Sequence, residues 1–147
     1  MLATEIKDQA LFEQFSQQLE QYERSSKATK LARVAAKTLI SRPDDGKANR
    51  AMGIFSLVVS EDSDEAMKYF ARSANKDCEF IAEHDRDFNG TDAEIAMELA
   101  DCWKRVGKKN DVLEKLAIDR AKAVLMLAKQ HAQDKALKDI EADLERL

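Results

Sequence analysis

Residues 47–59 read Lys47-Ala48-Asn49-Arg50-Ala51-Met52-Gly53-Ile54-Phe55-Ser56-Leu57-Val58-Val59. After the polar turn Ser60-Glu61-Asp62-Ser63 the chain resumes as Asp64-Glu65-Ala66-Met67-Lys68-Tyr69-Phe70-Ala71-Arg72-Ser73-Ala74. In the first stretch Ala48, Met52, Phe55 and Val59 recur at helical steps, with Ala51, Ile54 and Val58 alongside. In the second, Ala66, Met67, Phe70, Ala71 and Ala74 are the inward set, which predicts a helix over 64–74. A Gly inside a helix costs about 1 kcal/mol relative to Ala, so Gly53 marks a place where a neighbouring backbone comes close. Two short helices about a polar turn form an antiparallel hairpin, and this reading decides the fold class.

Upstream, Ser41-Arg42-Pro43-Asp44-Asp45-Gly46 is the clearest punctuation, because Pro43 disfavours helical geometry at Arg42 and either Asp can cap the next helix. Before it, Thr4 is placed to cap a helix to about Tyr22 with Ile6, Leu11, Phe15, Leu19 and Tyr22 on one face and a Gln-rich face opposite. Ser25 or Ser26 restarts helix, with Leu31, Val34, Ala35 and Leu39 on one side. Downstream, a short helix carries Phe80 and Ile81 before the loop 85–90. Thr91 and Glu94 have capping-box spacing and open a helix to about Val106 with Ala96, Leu99, Ala100 and Trp103 inward, ended by Gly107. Residues 112–131 and 134–147 complete the count. The expectation is an all-α single domain of about eight helices: leading helices 1–41, a hairpin 44–74, a short helix and loop 77–90, a second hairpin 91–132 and a capping helix 134–147.

Composition agrees. The chain has 147 residues, about one domain's length. Lys+Arg 24 against Asp+Glu 28 leaves a net charge of −4. One Pro and four Gly are too few for a sandwich or barrel, and two Cys cannot build a disulfide framework or a four-cysteine zinc site. Apolar runs such as 124–128 are far shorter than the ~20 residues of a spanning helix, so no membrane insertion is expected. The N-terminus lacks the basic start and apolar run of a signal peptide, which predicts a cytoplasmic location if the chain is complete.

Met52-Gly53 followed by Ala66, Phe70 and Ser73 resembles the two helices of a tetratricopeptide (TPR) repeat, in which small residues sit where the helices cross. Leu99, Ala100 and Trp103, then Ala121, Leu125 and Ala128, resemble a second copy with a longer link. Across most of the chain, Arg42-Pro43-Asp44-Asp45, Ala71-Arg72-Ser73-Ala74-Asn75 and Glu98-Leu99-Ala100-Asp101-Cys102-Trp103 are similar to a TPR-like helical module of large bacterial cell-envelope proteins, where it adjoins sugar-binding-type domains. Gly46 stands where that family has a second Pro, Ala100 where it has Gly, and Lys104 where it has a second Trp. The resemblance implies hairpins stacked in a right-handed TPR-like array, no reaction, and an envelope or exported setting if the chain is a fragment.

No residue constellation identifies a reaction. Glu83-His84-Asp85-Arg86-Asp87 concentrates potential metal ligands, but the Glu-x-x-His spacing of a di-iron bundle is missing at both histidines, and a solvated helix end is the better reading. Cys78 and Cys102 read as buried, inert thiols. Lys27, Lys30, Arg33 and Lys37 form a basic stripe without interleaved aromatics in an acidic chain, which argues against nucleic acid. Asn49 and Arg50 are the candidates for a peptide groove of the TPR kind. No cofactor and no enzymatic activity are expected. The expected function is a non-catalytic scaffold or spacer with a protein or peptide partner. The alternatives are a bundle that oligomerises through the helix of residues 4–22, or a helical enzyme with a carboxylate or His84 site.

Overall fold

Pro43 is the first residue of the chain that cannot continue a helix, and the first break comes there. The computed structural model describes the backbone of residues 2–147 and the side chains of residues 9–147. Helix α1 runs unbroken over Leu2–Ser41. The expected restart at Ser25 or Ser26 does not occur, because neither residue removes a backbone bond and Thr29 Oγ1 donates back to the Ser25 carbonyl at 2.8 Å within the helix. Thr4 and Ile6 lie outside the described side chains. The described chain therefore has seven helices, not about eight: α2 Gly46–Val58, α3 Ser63–Phe70, α4 Lys76–His84, α5 Ala93–Lys108, α6 Glu114–Lys129 and α7 Asp134–Glu145 come after α1.

Carboxylates and an amide set most helix starts. Asp45, Asp62 and Asn75 accept the N–H of Ala48, Glu65 and Cys78 at α2, α3 and α4. At α5 the cap is Asp92, whose carboxylate takes the N–H of both Glu94 and Ile95. The expected Thr91–Glu94 box does not form, since Thr91 turns back to Asn89 Oδ1. Helix α3 stops at Phe70, short of the expected Ala74, and Ala74 adopts the left-handed φ of 50°. Ala71 and Ala74 are consequently exposed. Gly46 explains itself here: a Cβ on it would lie 2.6 Å from the Ser73 carbonyl oxygen and 2.7 Å from Ala74 Cβ.

Each helix packs on its neighbour in the chain, with α5 also touching α7. The α2–α3 hairpin closes at Gly53, where an added Cβ would run into the Phe70 ring and sit 3.3 Å from the Ala66 carbonyl oxygen. The α5–α6 hairpin closes at Gly107, where a Cβ would meet Ala117 Cβ at 2.6 Å. Gly107 is thus a buried helical residue and not the expected terminator. Ala66, Phe70, Leu99, Ala100, Trp103, Ala121, Leu125 and Ala128 are all buried; Met52 is half-buried. The face of α2 is rotated from the expected one: Ile54, Leu57 and Val58 are buried, Phe55 is half-buried and Val59 is exposed. Phe70 and Trp103 meet with ring centroids 6.4 Å apart.

Candidate interaction surface

Helix α1 has two unlike halves. Ala28, Ala32 and Ala35 are buried in the packing of α1 on α2, a seam of small residues that lets the two helices lie close. Lys27 Nζ ties this half to the start of α6 through Asp111 at 2.6 Å. The Lys27 ammonium holds the Asp111 carboxyl below its usual range. Leu31 and Val34, grouped with Ala35 on one side by the spacing, are exposed, and the Ala residues take the contact.

The other half carries no such contact. Every residue from Gln9 to Glu23 is exposed. Leu11, Phe12, Phe15, Leu19 and Tyr22 are 51–72% exposed, and Leu11, Phe15, Leu19 and Tyr22 form the one apolar face the spacing predicts. At 100° per residue these five share an arc of about 100°, centred about 140° from the Ala28–Ala32–Ala35 face. The stripe therefore looks away from the body. It is a continuous apolar face on an arm that extends about 30 Å per 20 residues of helix. Scattered exposed apolar residues are ordinary on protein surfaces, whereas contiguous ones mark interaction sites.

The residues expected to form a groove behave differently. Asn49 is buried, and its amide nitrogen donates to the carbonyls of Pro43 at 2.9 Å and Asp45 at 3.0 Å. It holds the loop before α2 and offers nothing to a peptide. Arg50 lines a small cavity of about 130 Å³ with Ile54, Asn75, Asp77, Cys78, Val106, Lys109 and Asn110. That space has room for a few waters and not for a peptide chain.

Inside the body a polar chain ties four segments together. Trp103 Nε1 donates to Asp85 Oδ1 at 2.8 Å, Arg120 Nη1 lies 3.7 Å from Asp85 Oδ2, and Arg120 Nη2 donates to Ser63 Oγ at 2.9 Å. Asp85 is thereby occupied as a structural acceptor. His84 stacks on Phe80 with centroids 4.3 Å apart. Among the described residues no three His, Cys, Asp or Glu side chains converge in a way that would hold a metal ion. A second tie joins α4 to α5: Arg105 Nε binds Asp77 at 2.9 Å and Nη2 binds Glu98 at 2.8 Å. These carboxylates, Glu98 foremost, hold the Arg105 proton more firmly than usual. Cys78 and Cys102 are free and buried. Burial pushes the Cys78 thiol up to about 11 and the Cys102 thiol to about 12, the opposite of an activated nucleophile.

Sequence reasoning missed the Asp85–Arg120–Ser63 tie and the role of Gly107. The first joins residues up to 57 positions apart with no local spacing to reveal it. For Gly107 a signal existed, since Ala117 stands ten residues on, opposite it across a short turn. No helix among the described residues is long and apolar enough to cross a membrane. Comparison with family models, with curated proteins and with solved structures finds no match to the chain.

Proposed function

We propose that this chain is a non-catalytic helical scaffold: a body of stacked antiparallel hairpins of the TPR-like kind that holds α1 out as an arm for a protein partner. The hairpin closures at Gly53 and Gly107 and the neighbour-to-neighbour packing of the helices support the stacked reading. The observation that carries the interaction role is the outward stripe Leu11, Phe12, Phe15, Leu19 and Tyr22, apolar but unused by the body. Such a face binds another helix or a groove through residues at i, i+3, i+4 and i+7.

The test replaces Phe12, Phe15, Leu19 and Tyr22 together by Ser and follows thermal unfolding through the fluorescence of Trp103, the single Trp of the chain. If the stripe serves only partners, the body transition shifts by no more than about 2 °C, the equivalent of under about 1 kcal/mol for a domain of this size. A fall of ten degrees or more that is the same at every protein concentration would mean that the stripe is part of the chain's own core, and the scaffold reading would fail.

A further inference from the structure

We infer that the partner seated on the α1 stripe is a second copy of this chain, its arm running antiparallel to form a two-fold dimer. The inference deepens the scaffold reading and rests on it. A lone helix of 12–15 residues is marginal in water, and every residue of the arm between Gln9 and Glu23 stays exposed, with only Glu20, Gln21 and Glu23 lining clefts with the body. It needs a cover. With a large side chain presenting about 200 Å², the open part of the five stripe residues comes to about 600 Å² per copy. Two copies then bury about 1,200 Å², the lower end of a stable specific interface.

Charge selects among possible covers. Between residues 9 and 23 the charged side chains are Glu13, Glu20 and Glu23; Glu13 and Glu20 project about 140° from the centre of the stripe, and Glu23, about 70° from it, falls opposite Leu11 of an antiparallel copy. Ser16 and Gln18 flank the seam and are neutral. A copy that carries the same net charge of −4 therefore meets no like charge across it. An anionic membrane surface instead calls for Lys or Arg beside the apolar face, and residues 9–22 contain neither. The spacing is also self-complementary. In an antiparallel pair Phe12 faces Tyr22 and Phe15 faces Leu19, and the two-fold axis repeats both pairs. The bodies, attached at Ala28–Ala35 of each α1, then lie at opposite ends of the seam.

The test is sedimentation equilibrium of the full chain from about 1 to about 200 μM, a range over which mass action reveals self-association. The expected mass rises from 16.6 kDa toward twice that value. A Phe15→Glu, Leu19→Glu variant is expected to stay at 16.6 kDa throughout with Trp103 emission unchanged, which shows an intact body. A wild-type chain that remains at 16.6 kDa, or a dimer that survives the double substitution, overturns the inference. So does a monomer that floats with phosphatidylcholine–phosphatidylglycerol vesicles, since the stripe then belongs to a lipid surface. A monomer whose four-Ser arm leaves the body transition in place overturns self-pairing alone and leaves the scaffold reading standing.

Discussion

Phe12 and Phe70 are the same side chain in opposite circumstances. Phe70 is fully enclosed, set against the backbone at Gly53 and tilted onto Trp103, while Phe12 stands 72% exposed on the arm. Both lie in helices with a regular apolar stripe, so helical period alone does not say which stripe finds a core. What separates them is the neighbour across the next turn. Phe70 has a partner helix that Ser60–Ser63 folds back onto it; the first half of α1 is joined to α2 only through the second half of its own helix.

The sharpest way to break the comparison is to remove each ring. Phe70→Ala is expected to cost about 3–5 kcal/mol through lost burial and the cavity left beside Trp103, a large share of the roughly 5–15 kcal/mol a domain has. Phe12→Ala should change body stability by less than about 0.5 kcal/mol, as for other exposed sites. Urea unfolding followed by Trp103 fluorescence separates the two, and equal losses would show that arm and body share one core. A smaller effect is expected where the body is tight and the arm is not. Gly53→Ala forces a methyl against an enclosed ring, and Gly107→Ala forces one against Ala117. Each should lose about 1–3 kcal/mol by overpacking, outweighing the roughly 1 kcal/mol gained in helix propensity. A rise in the urea midpoint for either would show that its hairpin is looser than the geometry implies.

The last contrast concerns pH, and near neutrality it has no effect. The folded thiols keep their protons to about 11 at Cys78 and about 12 at Cys102, whereas unfolded thiols ionise at about 8.5. The unfolded chain therefore gives up those protons first as pH rises. Their contribution to stability is whole below about pH 8 and declines until the folded thiols ionise in turn. Stability against pH should show this alkaline limb, and a Cys78→Ala, Cys102→Ala chain should have a shallower one. The arm, which contains no Cys, should keep its far-ultraviolet helix signal over the same range.

Much of the architecture was legible because local chemistry sets it. Pro43, the Asp45 cap and the small residue at Gly53 act within a turn or two of where they stand, whereas the cap of α5 fell to Asp92 and not to Thr91. Two readings missed for want of the facing residue. Leu31 and Val34 shared a side with Ala35 in the pattern, yet the Ala seam won the contact because small side chains allow the closer approach. Gly107 looked like a stop signal, since a terminating Gly and a Gly at a crossing read alike until the facing Ala117 is placed. The candidate site was half visible: the sequence marked the stripe of residues 11–22 but not which way it would face. Asn49, marked for a groove, is spent on holding the Pro43–Asp45 loop.

The neighbour-to-neighbour order of the helices bears on how the chain is made as well as on what it does. Pairings that span few residues close with little loss of chain entropy, so a molecule built this way folds fast and piece by piece. Hairpin α2–α3 is complete once Phe70 is in place and can form while the helices after it are still emerging from the ribosome. The clasp from Arg120 to Ser63 then acts as a late lock, fastening an early-formed segment to one synthesised 57 residues afterwards.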